Sequence, residues 1–137
     1  MSEIVKSKPI VEEILATIQR LKNFKDYPIR NLVNHAKEFG PFLKNQRLET
    51  NQVRKFLDAV NRLKAELAEK GEFSAIETEV VLLQPKLAYA AARQKPAKPL
   101  SDVMSVAIDK VNSKEDFERL VQFLESIIAY HKAEGGK

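Results

Sequence analysis

The chain has no cysteine, and only four glycines and two histidines among its 137 residues. The first absence excludes disulfides and thiolate metal sites, so the fold must rest on packing. The glycines are Gly40, Gly71, Gly135 and Gly136. Each falls where helix periodicity ends, which leaves no glycine-rich loop to cradle a phosphate. His35 and His131 are far apart and belong to no HxxxH or HExxH pattern, so no metal or cofactor is expected. His131 lies near a predicted helix end, where its ring can bond terminal carbonyls. No GxSxG is present, and the acids Glu115, Asp116 and Glu118 sit in a predicted first helical turn, where the helix dipole accounts for them. A non-enzymatic role is expected, with an unrecognised hydrolase as the remote alternative. No run of about 20 uncharged apolar residues occurs. The opening MSEIVKSKPIVEE carries acids where a secretory signal would be apolar, so a cytoplasmic protein with no membrane partner is expected.

Helical spacing accounts for nearly all of the rest, and we expect a compact all-α bundle of about five to six helices in a single domain spanning 1–137, with 1–8 and 134–137 frayed. Pro9 suits the first turn of a helix whose apolar stripe is Ile10, Val11, Ile14, Leu15, Ile18 and Leu21. A second helix, led by Pro28, aligns Ile29, Leu32, Val33 and Ala36 and should stop at Gly40-Pro41. Thr50 is the expected N-cap of a third, with Val53, Phe56, Leu57, Val60, Leu63 and Leu67 inward and Gly71 as left-handed C-cap. Ser74 and Glu77 read as a capping box for a fourth, whose stripe Ile76, Val80, Leu83 and Leu87 plus Val81 and Leu82 makes it the expected most enclosed element. Ser101 should cap a fifth helix with Val103, Met104, Ala107, Ile108 and Val111 inward. Ser113 should cap a sixth with Phe117, Leu120, Val121, Leu124, Ile127 and Ile128. No strand-like alternation, repeat or linker interrupts this pattern.

The net charge is +4, and its distribution is uneven. Residues 72–84 hold three anions and no cation, and residues 100–137 hold seven anions and five cations, whereas 85–99 hold four cations and no anion. That basic segment lies in QPKLAYAAARQKPAKP, residues 84–99. If Pro85 opens a helical stretch there, Lys86, Tyr89, Ala90 and Arg93 share a face, with the two cations about 10 Å apart along the axis. The surrounding alanines keep that face low, so a backbone can approach. Arg93 offers bidentate donors to phosphate and Lys86 a mobile point charge, while Lys95 and Lys98 extend the positive potential into an expected proline-punctuated loop. Tyr89 can stack on a base, although a place at the core margin is the commoner role for a tyrosine. On the third helix Lys55 and Arg62 lie two turns apart opposite the apolar stripe, with Arg54 at its margin. Asp58 and Glu66 share that face, so an ordinary solvated surface is the alternative there.

Three stretches in order, LETNQVRKFLDAVNRL (48–63), VVLLQPKLAYAAARQK (80–95) and FLESIIAYHK (123–132), resemble the small subunit of type III-A CRISPR–Cas effector complexes. The resemblance implies a small all-helical, non-nucleolytic protein, several copies of which stack into an inner filament beside the guide-holding subunits and line the path of the target RNA. By position it places basic RNA-contacting residues at Arg54, Lys86 and Arg93. Lys55, Arg62, Lys95 and the Lys132 that closes the third stretch complete the set of candidate RNA-binding residues. The implied partners are target and guide RNA, other effector subunits, and copies of the chain itself, as a filament or as a homodimer when isolated. The competing reading is a helical interaction module that binds an acidic protein without touching RNA.

Overall fold

In the computed structural model, residues 9–137 are described, and helices form wherever the apolar spacing is 3.6. The order is α1 (Pro9–Arg20), α2 (Ile29–Asn45), α3 (Arg54–Lys70), α4 (Glu77–Val81), α5 (Leu83–Arg93), α6 (Lys98–Ile108) and α7 (Lys114–Ala133). Short 3-10 turns occupy Phe24–Asp26, Thr50–Val53, Phe73–Ala75 and Lys95–Ala97, and no strand occurs among the described residues. The expected all-α class holds. The expected fraying of residues 1–8 falls outside the described residues.

Among the described residues, the α2–α7 pair is the most extensive packing. The two run in the same direction: Tyr27, just before α2, meets Arg119 and Phe123 near the start of α7, and Gly40 meets Ile127 to His131 near its end. At that second point the backbones touch. A Cβ on Gly40 would lie 2.6 Å from the His131 nitrogen and 2.7 Å from the Ile127 oxygen. The glycine expected to end α2 instead lets it dock, and α2 continues past Gly40-Pro41 to Asn45 with Pro41 inside it. An interior proline costs about 3 kcal/mol. Phe39 and Leu43, both fully buried, contribute about 1.5–3 kcal/mol each and offset it.

The connection from α1 to α2 is pinned on the start of α7. Phe24, Tyr27 and Phe123 form an aromatic cluster with ring centroids 5.3 to 6.1 Å apart. Beside it, the buried Asp116 carboxylate accepts hydrogen bonds from the Lys25 and Asn112 backbone N–H groups at 2.8 and 2.9 Å. The dipole reading therefore does not suffice for Asp116, which ties two segments together. Glu13 accepts from His35 Nε2 at 3.2 Å, and His35 Nδ1 lies 2.6 Å from the Tyr27 hydroxyl. Burial first, and the Glu13 charge second, hold that phenol well above its ordinary pKa, so it stays neutral.

Several local expectations are corrected. Thr50 does not cap α3: a 3-10 turn intervenes, Val53 stands at the cap, and the Thr50 hydroxyl donates to the Lys137 carbonyl at 2.8 Å. Ser74 and Glu77 form no capping box, because Phe73–Ala75 is a 3-10 turn and the buried Ile76 precedes α4. The expected fourth helix breaks at Leu82 into α4 and α5. Its stripe of Ile76, Val80, Leu83 and Leu87 is buried as expected, yet Val81 and Leu82 stand about half exposed, so it is not the most enclosed element. Ser101 lies inside α6, which starts at Lys98, and the expected basic loop is helical through Lys95–Ala97. Ser113 does cap α7, accepting from the Asp116 N–H, and Gly71 supplies the left-handed C-cap of α3 at φ 78°. The stripe expected of the fifth helix is buried throughout, from Val103 to Val111.

Gly40→Ala tests the close approach. Alanine gains about 1 kcal/mol of helix propensity, but the overlap is with backbone atoms that no rotamer change relieves. The variant is expected to be less stable than the parent by about 1–3 kcal/mol, measured by chemical denaturation; equal or higher stability would show that the helices separate freely.

Candidate nucleic-acid interface

Antiparallel packing of α3 against α5 brings the start of one to the end of the other. The result is an open cleft of about 550 Å³ whose lining includes Arg54, Lys55, Tyr89 and Arg93 and, among the described residues, contains no acid. Three of the seven candidate residues, from two stretches about 40 positions apart in sequence, thus converge on one cleft. Across it Gln52 Nε2 donates to Gln94 Oε1 at 3.2 Å. These two glutamines were not among the candidates, since nothing in their local pattern distinguishes them from other surface polar residues.

Arg93 donates from Nη1 to the Tyr89 hydroxyl at 3.2 Å, with its guanidinium carbon 5.7 Å from the ring centroid. Tyr89 is 65% exposed, so it is not a core-margin residue. Lys86, one turn before Tyr89, is exposed on α5 but does not line the cleft. Among the described residues, none of Arg54, Lys55, Lys86 and Arg93 has a carboxylate within 4.0 Å.

The other candidates are placed differently. Arg62, two turns along α3, approaches Glu79 at 4.0 Å. Lys95 faces a second depression on the other side of α5, shared with Ala88, Ala92, Ser101 and Lys98, and Lys98 is paired with Asp102 at 2.7 Å. Lys132 donates from Nζ to the Lys137 carbonyl at 2.8 Å, with Thr50 Oγ1 at 3.4 Å. It therefore ties the 134–137 segment to the body.

Its neighbour His131 has a related part. Fully buried, it bonds the Leu48 carbonyl through Nε2 at 2.7 Å. A carbonyl only accepts, so Nε2 carries the proton; Nδ1 has no partner among the described residues, and Gly136 packs on the ring. The ring does bond a carbonyl, but one in the segment before α3 rather than at its own helix end. Together His131 and Lys132 hold residues 48–50, which lead directly into the cleft wall formed by Asn51, Gln52 and Val53.

A family profile described as Csm2 Type III-A matches residues 26–137. The chain belongs to that family. A Streptococcus thermophilus protein described as "CRISPR system Cms protein Csm2" is 28% identical over 95 residues, which cover 68% of this chain and 78% of that protein. All seven candidate residues lie within the family match. The resemblance of the three stretches and the family assignment agree: this is a Csm2-family member of a type III-A CRISPR complex. Among the described residues no helix is long and apolar enough to cross a membrane.

Replacing His131 with leucine removes the donor to Leu48 and leaves a buried carbonyl unpaired, at a cost of about 1–3 kcal/mol. The expected readout is a loss of that size in chemical denaturation. No loss would mean that the segment before α3 is held without this bond.

Proposed function

We propose that this Csm2-family protein is a non-catalytic RNA-binding subunit of a cytoplasmic type III-A CRISPR complex, acting as one domain and contacting the target RNA and its duplex with the guide along their backbones. The observation that carries the reading is the convergence of Arg54, Lys55 and Arg93 on one acid-free cleft, with no carboxylate within 4.0 Å of any of them among the described residues. Unpaired exposed cations in a concavity raise the local positive potential and suit phosphate rather than an internal ion pair. Lys86 extends the same face, about 10 Å along α5 from Arg93. Where guide pairing supplies sequence discrimination, spaced cations that recognise backbone suffice. Arg62, Lys95 and Lys132 are secondary in this reading, because two already have partners and Lys95 faces elsewhere.

The variant Arg54→Ala/Lys55→Ala/Arg93→Ala is expected to melt like the parent and to bind single-stranded RNA more weakly. Its log-log salt slope should fall by about 0.7 for each phosphate that is no longer neutralised. Unchanged affinity and slope would sink the RNA reading and leave an acidic protein partner as the occupant of the cleft.

The opposite end of α5 favours a second contact. Val81 and Leu82, 52% and 50% exposed, stand at the α4–α5 break beside Glu77 and Glu79. That break is about 16 Å along the axis from Arg93. We assign to this apolar, acid-flanked ridge the docking of a neighbouring subunit, including another copy of the chain in a filament or in a dimer of the isolated protein. Val81→Asp/Leu82→Asp should lose co-purification with the complex after ribonuclease digestion while keeping the parent's RNA affinity; full retention of every partner would place the docking surface elsewhere.

A further inference from the structure

The RNA reading requires only cations, and the cleft contains something more. Tyr89 is a large aromatic ring set on the outer face of α5, 65% exposed, while the apolar stripe of the same helix is buried beneath it at Leu87 and Ala91. Burial therefore does not explain the ring. Its neighbour in the cleft wall, Ala90, is small and half-buried, and Ala88 and Ala92, exposed towards the other side of α5, add no bulk beside it. The ring thus stands above its surroundings. Arg93 donates to the phenolic oxygen, which restrains the ring from its polar end, and cations lie on both sides along the helix at Lys86 and Arg93.

We infer that Tyr89 is a base-stacking platform, so that the cleft takes an unpaired nucleotide of RNA rather than only the backbone of a continuous duplex. The inference rests on the RNA reading above and deepens it. An exposed aromatic flanked by phosphate-binding cations is the arrangement that single-strand binders use, because every base presents a π-face and the backbone then falls within reach of the charges. A fully stacked duplex offers no free base face to such a ring. The Gln52–Gln94 amide pair that spans the same cleft adds donors and acceptors of the kind that bond base edges and ribose hydroxyls.

The probes are a 12-nucleotide single-stranded RNA and the same RNA annealed to its complement, each titrated with the parent chain and with Tyr89→Phe and Tyr89→Leu. Since Tyr89 is surface-exposed, both variants should melt like the parent. The parent and Tyr89→Phe are expected to favour the single strand. Tyr89→Leu, which keeps apolar bulk but loses the π-face, should lose single-strand affinity on the order of ten-fold, with duplex affinity and salt slope unchanged. If Tyr89→Leu binds the single strand like the parent while the Arg54/Lys55/Arg93 triple alanine variant is weakened, stacking is overturned and the cationic site stands. Equal loss on both probes also overturns stacking. No saturable binding of either RNA by the parent would overturn the RNA reading itself.

Discussion

The molecule is organised around the contact between the backbones of α2 and α7 at Gly40. Helix axes usually keep 8–10 Å apart because side chains intervene. Here the Cβ is missing, and the α7 backbone from Ile127 to His131 occupies its place. That approach brings the end of α7 against the segment that leaves α2. His131 and Lys132 can then bond residues 48 and 50, and those residues lead into the wall of the cleft. The candidate interface is thus positioned from behind by a contact that contains no cation.

This arrangement separates what holds the fold from the candidate interface. The stabilising polar groups are buried or backbone-directed: Asp116 on two N–H groups, His131 on a carbonyl, and Ser113 on the Asp116 N–H. The cleft cations are exposed and, among the described residues, have no carboxylate within 4.0 Å. Exposed ion pairs contribute only about 0–1 kcal/mol even when formed, so leaving Arg54, Lys55 and Arg93 without carboxylates sacrifices little stability while preserving positive potential. Arg62, by contrast, is drawn towards Glu79 across the antiparallel α3–α4 approach. Two arginines on one helix therefore differ in availability because of what packs opposite each of them.

Periodicity made the helices legible, since burial of one face every 3.6 residues is a local property of the chain. The stripes of α3, α6 and α7 are buried almost residue for residue as their spacing implies. What failed was punctuation. Gly40-Pro41 reads as a stop in isolation, and only the presence of α7 converts the glycine into a docking point and compensates the proline. Thr50 and Ser101 have the chemistry of caps, but tertiary partners and an earlier helix start gave them other roles. The cationic segment was legible from charge alone, and the resemblance added Arg54 from the other stretch, but neither joined the two stretches in one cleft. Neither route could reveal the Gln52–Gln94 contact, which depends on how the segment before α3 meets the end of α5, and helical spacing alone left Tyr89 open between an exposed ring and a core margin.

On the RNA reading, the small number of cations in the cleft has a consequence for assembly. A protein neutralising three or four phosphates gains a modest, salt-sensitive affinity, far below that of a dedicated single-strand binder with a long basic groove. Copies arrayed along one strand convert later binding events into intramolecular ones, and avidity then rises without any new residue in the cleft. Such an array needs the strand site and the copy-to-copy contact on different parts of the surface. α5 satisfies that requirement by its length: Arg93 and the cleft lie at one end, and the exposed Val81–Leu82 ridge adjoins the other. The break at Leu82, which turns an expected single helix into two, is what exposes the ridge while leaving Ile76, Val80, Leu83 and Leu87 in the core.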